Sequence, residues 1–165
     1  GLFPPSGDKI GLYKNGEGSS PILFKVIGVS ENGKTATLQG TADPGDYVAV
    51  YPYMADKSIE EVKAAALANQ LQTDISNPSH LASSDVMKTV PFTISEGNTN
   101  FSIPFIHQVA IMKIIVPAKT TISAVGIKGA WGEAEYETAF ENYISTGDVT
   151  AYIAVPSTTL ETIKV

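Results

Sequence analysis

Two imidazoles, His80 and His107, and no thiol are available to this chain, since cysteine is absent. A histidine works as a base or metal ligand only beside a group that orients it or shares the ion, a carboxylate or a second imidazole. His107 sits in the apolar run FIHQVA with neither close in sequence, so a hydrogen-bonded structural imidazole is expected. His80 stands in a polar loop beside Asn77, where exposure is expected. Among the acids, Glu133, Glu135 and Glu137 alternate along GEAEYETAFENY. On a strand they share one face, an arrangement able to attract Ca²⁺. Calcium sites draw their oxygens from a compact loop with glycine at its turn, so a solvated strand face is the expected outcome. Asp43, Asp46 and Asp148, in glycine-containing turns, are read the same way. Glu133 with Glu137 is the one carboxylate pair that a hydrolase reading would use. No serine carries the G-x-S-x-G turn, and neither glycine-rich phosphate motif occurs. The residues therefore name no catalytic group, no cofactor and no metal ligand.

Aromatic side chains supply a different chemistry. Tyr51, Tyr53, Trp131, Tyr136, Phe140 and Tyr143 are candidates for a stacking platform, and Trp131, Tyr136 and Tyr143 form the preferred set for a glycan. Tyrosine and tryptophan also form the ordinary amphipathic rim of a β-sandwich core, and the sequence leaves both readings open.

Charge and composition narrow the partners. All 11 basic residues are lysine, against 17 acids, for a net charge of −6. Such a surface repels phosphate backbones, and without arginine there is no bidentate clamp for phosphate, so nucleic acid is not expected as a partner. No apolar run approaches the ~20 residues that span a bilayer as a helix. The chain opens at Gly1 without the progression of a signal peptide, so any targeting segment is expected upstream.

The elements that hold these residues read as strands. Residues 8–13 (DKIGLY) form the first, and residues 22–30 and 35–39 flank Asn32-Gly33, a hairpin signal because both residues tolerate positive φ. Residues 47–53 (YVAVYPY) follow a Pro44-Gly45 turn, with Pro52 suited to an edge or strand end. Ser58 and Glu61 make a capping box that predicts a short helix around 58–66, with extended chain after it. Residues 92–117 hold two apolar runs. In residues 105–116 both alternating faces are apolar, which predicts a core strand covered on both sides. Residues 122–129, 132–143 and 149–155 complete the strand set. The whole reads as a single all-β domain over 1–165, a β-sandwich.

In their order, several segments carry a resemblance: GDKIGLY at 7–13, GDYVAVYPY at 45–53, LASSDVM at 81–87, FIHQVAIMKI at 105–114 and YIAVP at 152–156. With these, nearly the full chain resembles the fimbrillin-like proteins of Gram-negative anaerobes. The resemblance implies a transthyretin-like Greek-key sandwich of about seven strands, the N-terminal one of two such domains. It further implies an exported, lipid-anchored, noncatalytic subunit of outer-membrane fimbriae, or an adhesin with a host protein or glycan as ligand. Subunits of that kind assemble by strand donation, with self or another subunit as partner, and main-chain hydrogen bonds supply the affinity. Processing at an arginine and lipidation at a cysteine, usual in the family, would both have to lie upstream. Because a donated strand must leave its own sheet, the two terminal segments are the expected assembly contacts: Ile10, Leu12 and Tyr13 at one end, Leu160, Ile163 and Val165 at the other.

Overall fold

Strands hold 51% of the residues and helices 11%, so the chain is mainly β and of sandwich character. The computed structural model describes residues 6–74, 77–97, 100, 102–117, 121–131, 134–144 and 147–157, with the main chain alone at 129–131 and 141–144. Among them the strands are β1 (Lys9–Lys14), β2 (Ile22–Val29), β3 (Ala36–Gln39), β4 (Gly45–Tyr51), β5 (Gln70–Gln72), β6 (Met87–Thr89), β7 (Phe92–Ile94), β8 (Phe105–His107), β9 (Val109–Val116), β10 (Thr121–Trp131), β11 (Ala134–Ile144) and β12 (Val149–Pro156). Helix α1 (Ile59–Leu67) follows β4, and a 3-10 helix covers Ser79–Ser84. By contacts the chain divides into two compact units, Gly1–Ala64 with Val86–Gln108, and Ala65–Asp85 with Val109–Val165.

The first unit is a seven-stranded sheet in the order β3-β2-β1-β4-β6-β8, with β7 paired to the other part of β4. β1 lies between β2 and β4, antiparallel to both, so its two edges are filled. Its faces are filled too: Ile10, Leu12 and Tyr13 are 0–2% exposed, and Ile10 and Leu12 pack with Phe24, Val26, Tyr47, Ala49 and Ile94. Burying such side chains contributes roughly 1.5–3 kcal/mol each, which makes β1 a keystone of this sheet. The two buried tyrosines send their hydroxyls to main-chain acceptors, Tyr13 to the Lys57 carbonyl at 3.0 Å and Tyr47 to the Asp43 carbonyl at 2.9 Å. Each ring thus stays in the apolar interior without stranding its O–H.

The β2–β3 hairpin forms where the Asn-Gly signal places it, with a longer loop than a two-residue turn. Gly33 alone takes positive φ, at 67°, while the Asn32 carboxamide oxygen accepts from the Ser30 hydroxyl at 2.7 Å and the Lys34 N–H at 3.0 Å. Asparagine here works as an acceptor that ties the loop, an ordinary use of its short side chain. The capping box also forms: the Ser58 N–H donates to the Glu61 carboxylate at 2.7 Å and the Glu61 N–H to the Ser58 hydroxyl at 3.3 Å. Helix α1 begins one residue after Ser58, and the extended chain predicted beyond it is β5.

In the second unit β10, β11 and β5 make a three-stranded sheet in which β5 runs parallel to β11, and β12 pairs antiparallel with β9. One cluster packs Phe140, Val149 and Ala151 against Ile114, Ile122 and Val125, and another packs Leu67, Leu81 and Ala154 against Val109, Tyr136 and Tyr152.

Residues 92–117 depart from the reading of a twice-covered core strand. The run breaks at Gln108, where β8 ends in the first unit and β9 begins in the second. Ile106 in β8 is 52% exposed, and in β9 Ile111 and Ile115 are 60% and 58% exposed, so one face of β9 is open. Strands covered on both faces are instead β1, β4 and β12. Periodicity reports which side chains are apolar and says nothing about how many layers the topology stacks over them.

Candidate assembly groove and strand edges

A groove of about 910 Å³ lies within the first unit, at the two ends of its sheet. One wall is residues 34–42, which include β3, and the other is residues 102–105, which lead into β8. Leu12, Phe24 and Ile94 lie between them, and Leu38, Ile103 and Phe105 add apolar surface from the walls. Among the described residues β3 and β8 are the terminal strands of the sheet, β3 hydrogen-bonded to β2 and β8 to β6. A terminal strand presents N–H and C=O groups that a further strand can pair with. Apolar floor and terminal strands thus occur at one place. Threonines and other small polar residues (Thr35, Thr37, Thr41, Ser102) alternate with the apolar ones, and Lys34 brings a charge.

Glycine at position 40 is needed here. A Cβ built on Gly40 would come within 2.5 Å of the Phe24 ring, so a side chain at this point would push the ring out of its place beside the groove. The chain can pass over Phe24 only without one.

Of the residues singled out from the sequence, Ile10, Leu12 and Tyr13 are interior residues of a strand paired on both sides, with Leu12 also touching the groove. Leu160, Ile163 and Val165 lie outside the described residues. Tyr136 is half-buried and packs on the Leu67, Leu81 and Ala154 cluster. Trp131 is the last residue of β10, opposite Ala134, and Tyr143 pairs with Ile122; their side chains lie outside the described set. Tyr51 and Tyr53 border a shallow hollow of about 270 Å³ with Pro52 and Asp8, where the Tyr51 hydroxyl donates to Asp8 at 3.0 Å.

Glu135 and Glu137 face solvent on β11, as expected for a solvated face, with Lys128 3.7 Å from Glu135. Glu133 lies outside the described residues, and among those described no cluster of three His, Cys, Asp or Glu is placed to share a metal ion. His107 is half-buried opposite Met87 on β6.

His80 corrects its reading as an exposed loop residue. It is part-buried, its Nε2 lies 2.9 Å from the Tyr152 carbonyl, and its Nδ1 is buried without a hydrogen-bond partner among the described residues. Since a carbonyl only accepts, Nε2 carries the proton. Gln70 and Gln72 escaped notice altogether. Both are buried, and both reach β12 through their side-chain amides. The one sequence signal was their i, i+2 spacing on an extended segment, which puts two amides on one face.

Comparison of the chain with protein-family models, with curated proteins and with solved structures finds no match.

Proposed function

We propose that this chain is a noncatalytic cell-surface structural protein, a fimbrial (pilus) subunit or adhesin that assembles by β-strand addition. The observation that carries this reading is the groove of about 910 Å³ with an apolar floor, lying at the two terminal strands of one sheet. An extended segment entering it would gain main-chain hydrogen bonds from an edge strand and apolar contacts at alternate side chains, the two terms by which strand addition binds. No catalytic group is needed.

The donor in this reading is residues 158–165, TTLETIKV, of a second copy. The segment is rich in β-branched residues suited to a strand, and Leu160, Ile163 and Val165 supply apolar contacts. The N-terminal alternative is disfavoured because withdrawing β1 would open both of its pairings and expose Ile10, Leu12 and Tyr13. Export, anchoring to the outer membrane through a lipidated residue upstream, and a role in adhesion complete the proposal, which draws on the resemblance to fimbrillin-like proteins.

The absence of cysteine makes a direct test clean. A Thr37→Cys chain is mixed with a Leu160→Cys chain under mild oxidation and resolved without reductant. A mixed disulfide dimer is expected, and it should exceed that formed when Leu160→Cys is paired with Ser123→Cys on exposed β10. Equal yields from the two pairs would overturn the reading.

A further inference from the structure

β12 is the strand of this chain most in need of a guarded edge. Its sequence, VTAYIAVP, carries no charge, and β-branched or aromatic residues fill five of its eight positions. An uncharged strand of high β-propensity with an open edge recruits other chains, and proteins usually prevent this with an edge lysine, a bulge or a proline. β9, its strand partner among the described residues, covers one edge in an unbroken register from Val149↔Val116 to Pro156↔Val109. On the other edge no strand among the described residues is paired, and side chains from β5 and the 3-10 helix packed beside it stand in for one.

Gln72 donates its amide N–H to the Thr150 carbonyl at 2.8 Å and accepts the Tyr152 N–H at 2.9 Å. His80 Nε2–H donates to the Tyr152 carbonyl at 2.9 Å. Gln70 accepts the Ala154 N–H at 2.7 Å and donates to the Ala154 carbonyl at 2.8 Å. Five consecutive outward main-chain groups, from the Thr150 carbonyl to the Ala154 carbonyl, are thereby occupied. The next outward position is Pro156, which has no N–H to leave open. A glutamine amide presents the same donor and acceptor pair as a peptide group, so two glutamines spaced i, i+2 reproduce the hydrogen bonding of a neighbouring strand. Both amides are held in place by a further bond, Gln70 to the Leu67 carbonyl at 3.1 Å and Gln72 to the Asp74 carbonyl at 2.9 Å.

We infer that Gln70, Gln72 and His80 form a side-chain clamp that closes the outer edge of β12 and prevents a second copy of this chain from adding to it. The excluded occupant is the same strand of another copy. Antiparallel pairing centred on Tyr152 would set Thr150 opposite Ala154 of the other copy, with no like charges to oppose it. The clamp does for β12 what Lys113 does for β9, whose exposed Ile111 and Ile115 flank that single charge.

The test is the full chain carrying Gln70→Ala and Gln72→Ala, followed by amide hydrogen exchange and light scattering across a concentration series. In dilute solution the Tyr152 and Ala154 amides should exchange at least about tenfold faster than in the parent chain. With rising concentration they should regain protection as dimers appear, and adding Thr150→Lys should return the chain to monomer. A chain that stays monomeric while these amides exchange freely overturns the inference. So does association that protects β3 amides and leaves Tyr152 and Ala154 exchanging, which is the pattern expected from groove-mediated assembly. Should the double variant lose its β-sheet circular dichroism, Gln72→Met alone keeps the volume, removes three amide bonds and is read by the same two measurements.

Discussion

Tyr13 shows how one residue ties local chemistry to the stability of a sheet. Its ring is buried in β1 and its hydroxyl donates to the Lys57 carbonyl. Burial first, and then the charges of Tyr53 and Glu61, push that hydroxyl above the ordinary tyrosine range. The folded chain therefore keeps this proton where the unfolded chain releases it. The stability Tyr13 contributes is intact below the ordinary value of about 10 and is lost as pH climbs through and beyond it. Melting temperature should fall more steeply above pH about 10 in the parent chain than in Tyr13→Phe, while at pH 7 the variant should be less stable by about 1 kcal/mol. Parallel alkaline curves for the two chains would remove Tyr13 as the cause. Glu61 sits at the opposite extreme. Its carboxylate, fully exposed, is held below the usual range first by the Ser58 N–H and then by the Ser58 hydroxyl, so the capping box is complete above the usual carboxylate range and opens as pH falls through the lowered value.

At the scale of elements, apolar strands of similar appearance have unequal burdens. β12 has no exposed position, with Ala151 and Ile153 at 0% on one face and Ala154 at 1% on the other, whereas β9 leaves Ile111 at 60%. Ile153→Ala should cost about 2–5 kcal/mol in chemical denaturation, and Ile111→Ser should stay within about 0.5 kcal/mol of the parent. Equal losses would mean that β9 is covered as fully as β12. In residues 105–116 the polar pair His107-Gln108 falls where one unit ends and the next begins, but Lys113 interrupts β9 without ending it, so polarity alone does not mark the break. The helix was legible because its start signal is local: Ser58 and Glu61 are three residues apart and need no other part of the chain. The same holds for the Asn32-Gly33 loop, although the glycine alone takes the left-handed conformation.

For the molecule as a whole, net charge bears on assembly. Copies carrying −6 repel one another at long range, and salt shortens that repulsion to ~10 Å at 0.1 M. If copies join by strand addition, crosslinking between Thr37→Cys and Leu160→Cys chains should speed up severalfold between about 10 mM and 150 mM salt, reflecting lifted repulsion. A rate that falls with salt would point to an attractive charge pair at the contact, with Lys34 beside the groove the first residue to examine. The groove itself was not legible in the sequence. Leu12, Phe24, Leu38, Ile94 and Phe105 are spread over more than half the chain, and each reads as one more core residue of its own strand.

The sequence by itself determined the β class, the strand and helix positions governed by local turn and capping chemistry, and the exclusion of arginine- and cysteine-based chemistry, because these depend on residues close together or on composition alone. Tertiary structure decided which strands are doubly covered, which edges stay open and what seals the rest. Those properties arise where residues 70–80 meet residues 150–154, or where β3 and β8 end one sheet. A glutamine on a strand looks like any solvated residue until the partner that its amide completes is brought beside it, which is why the clamp on β12 is visible only in the folded chain.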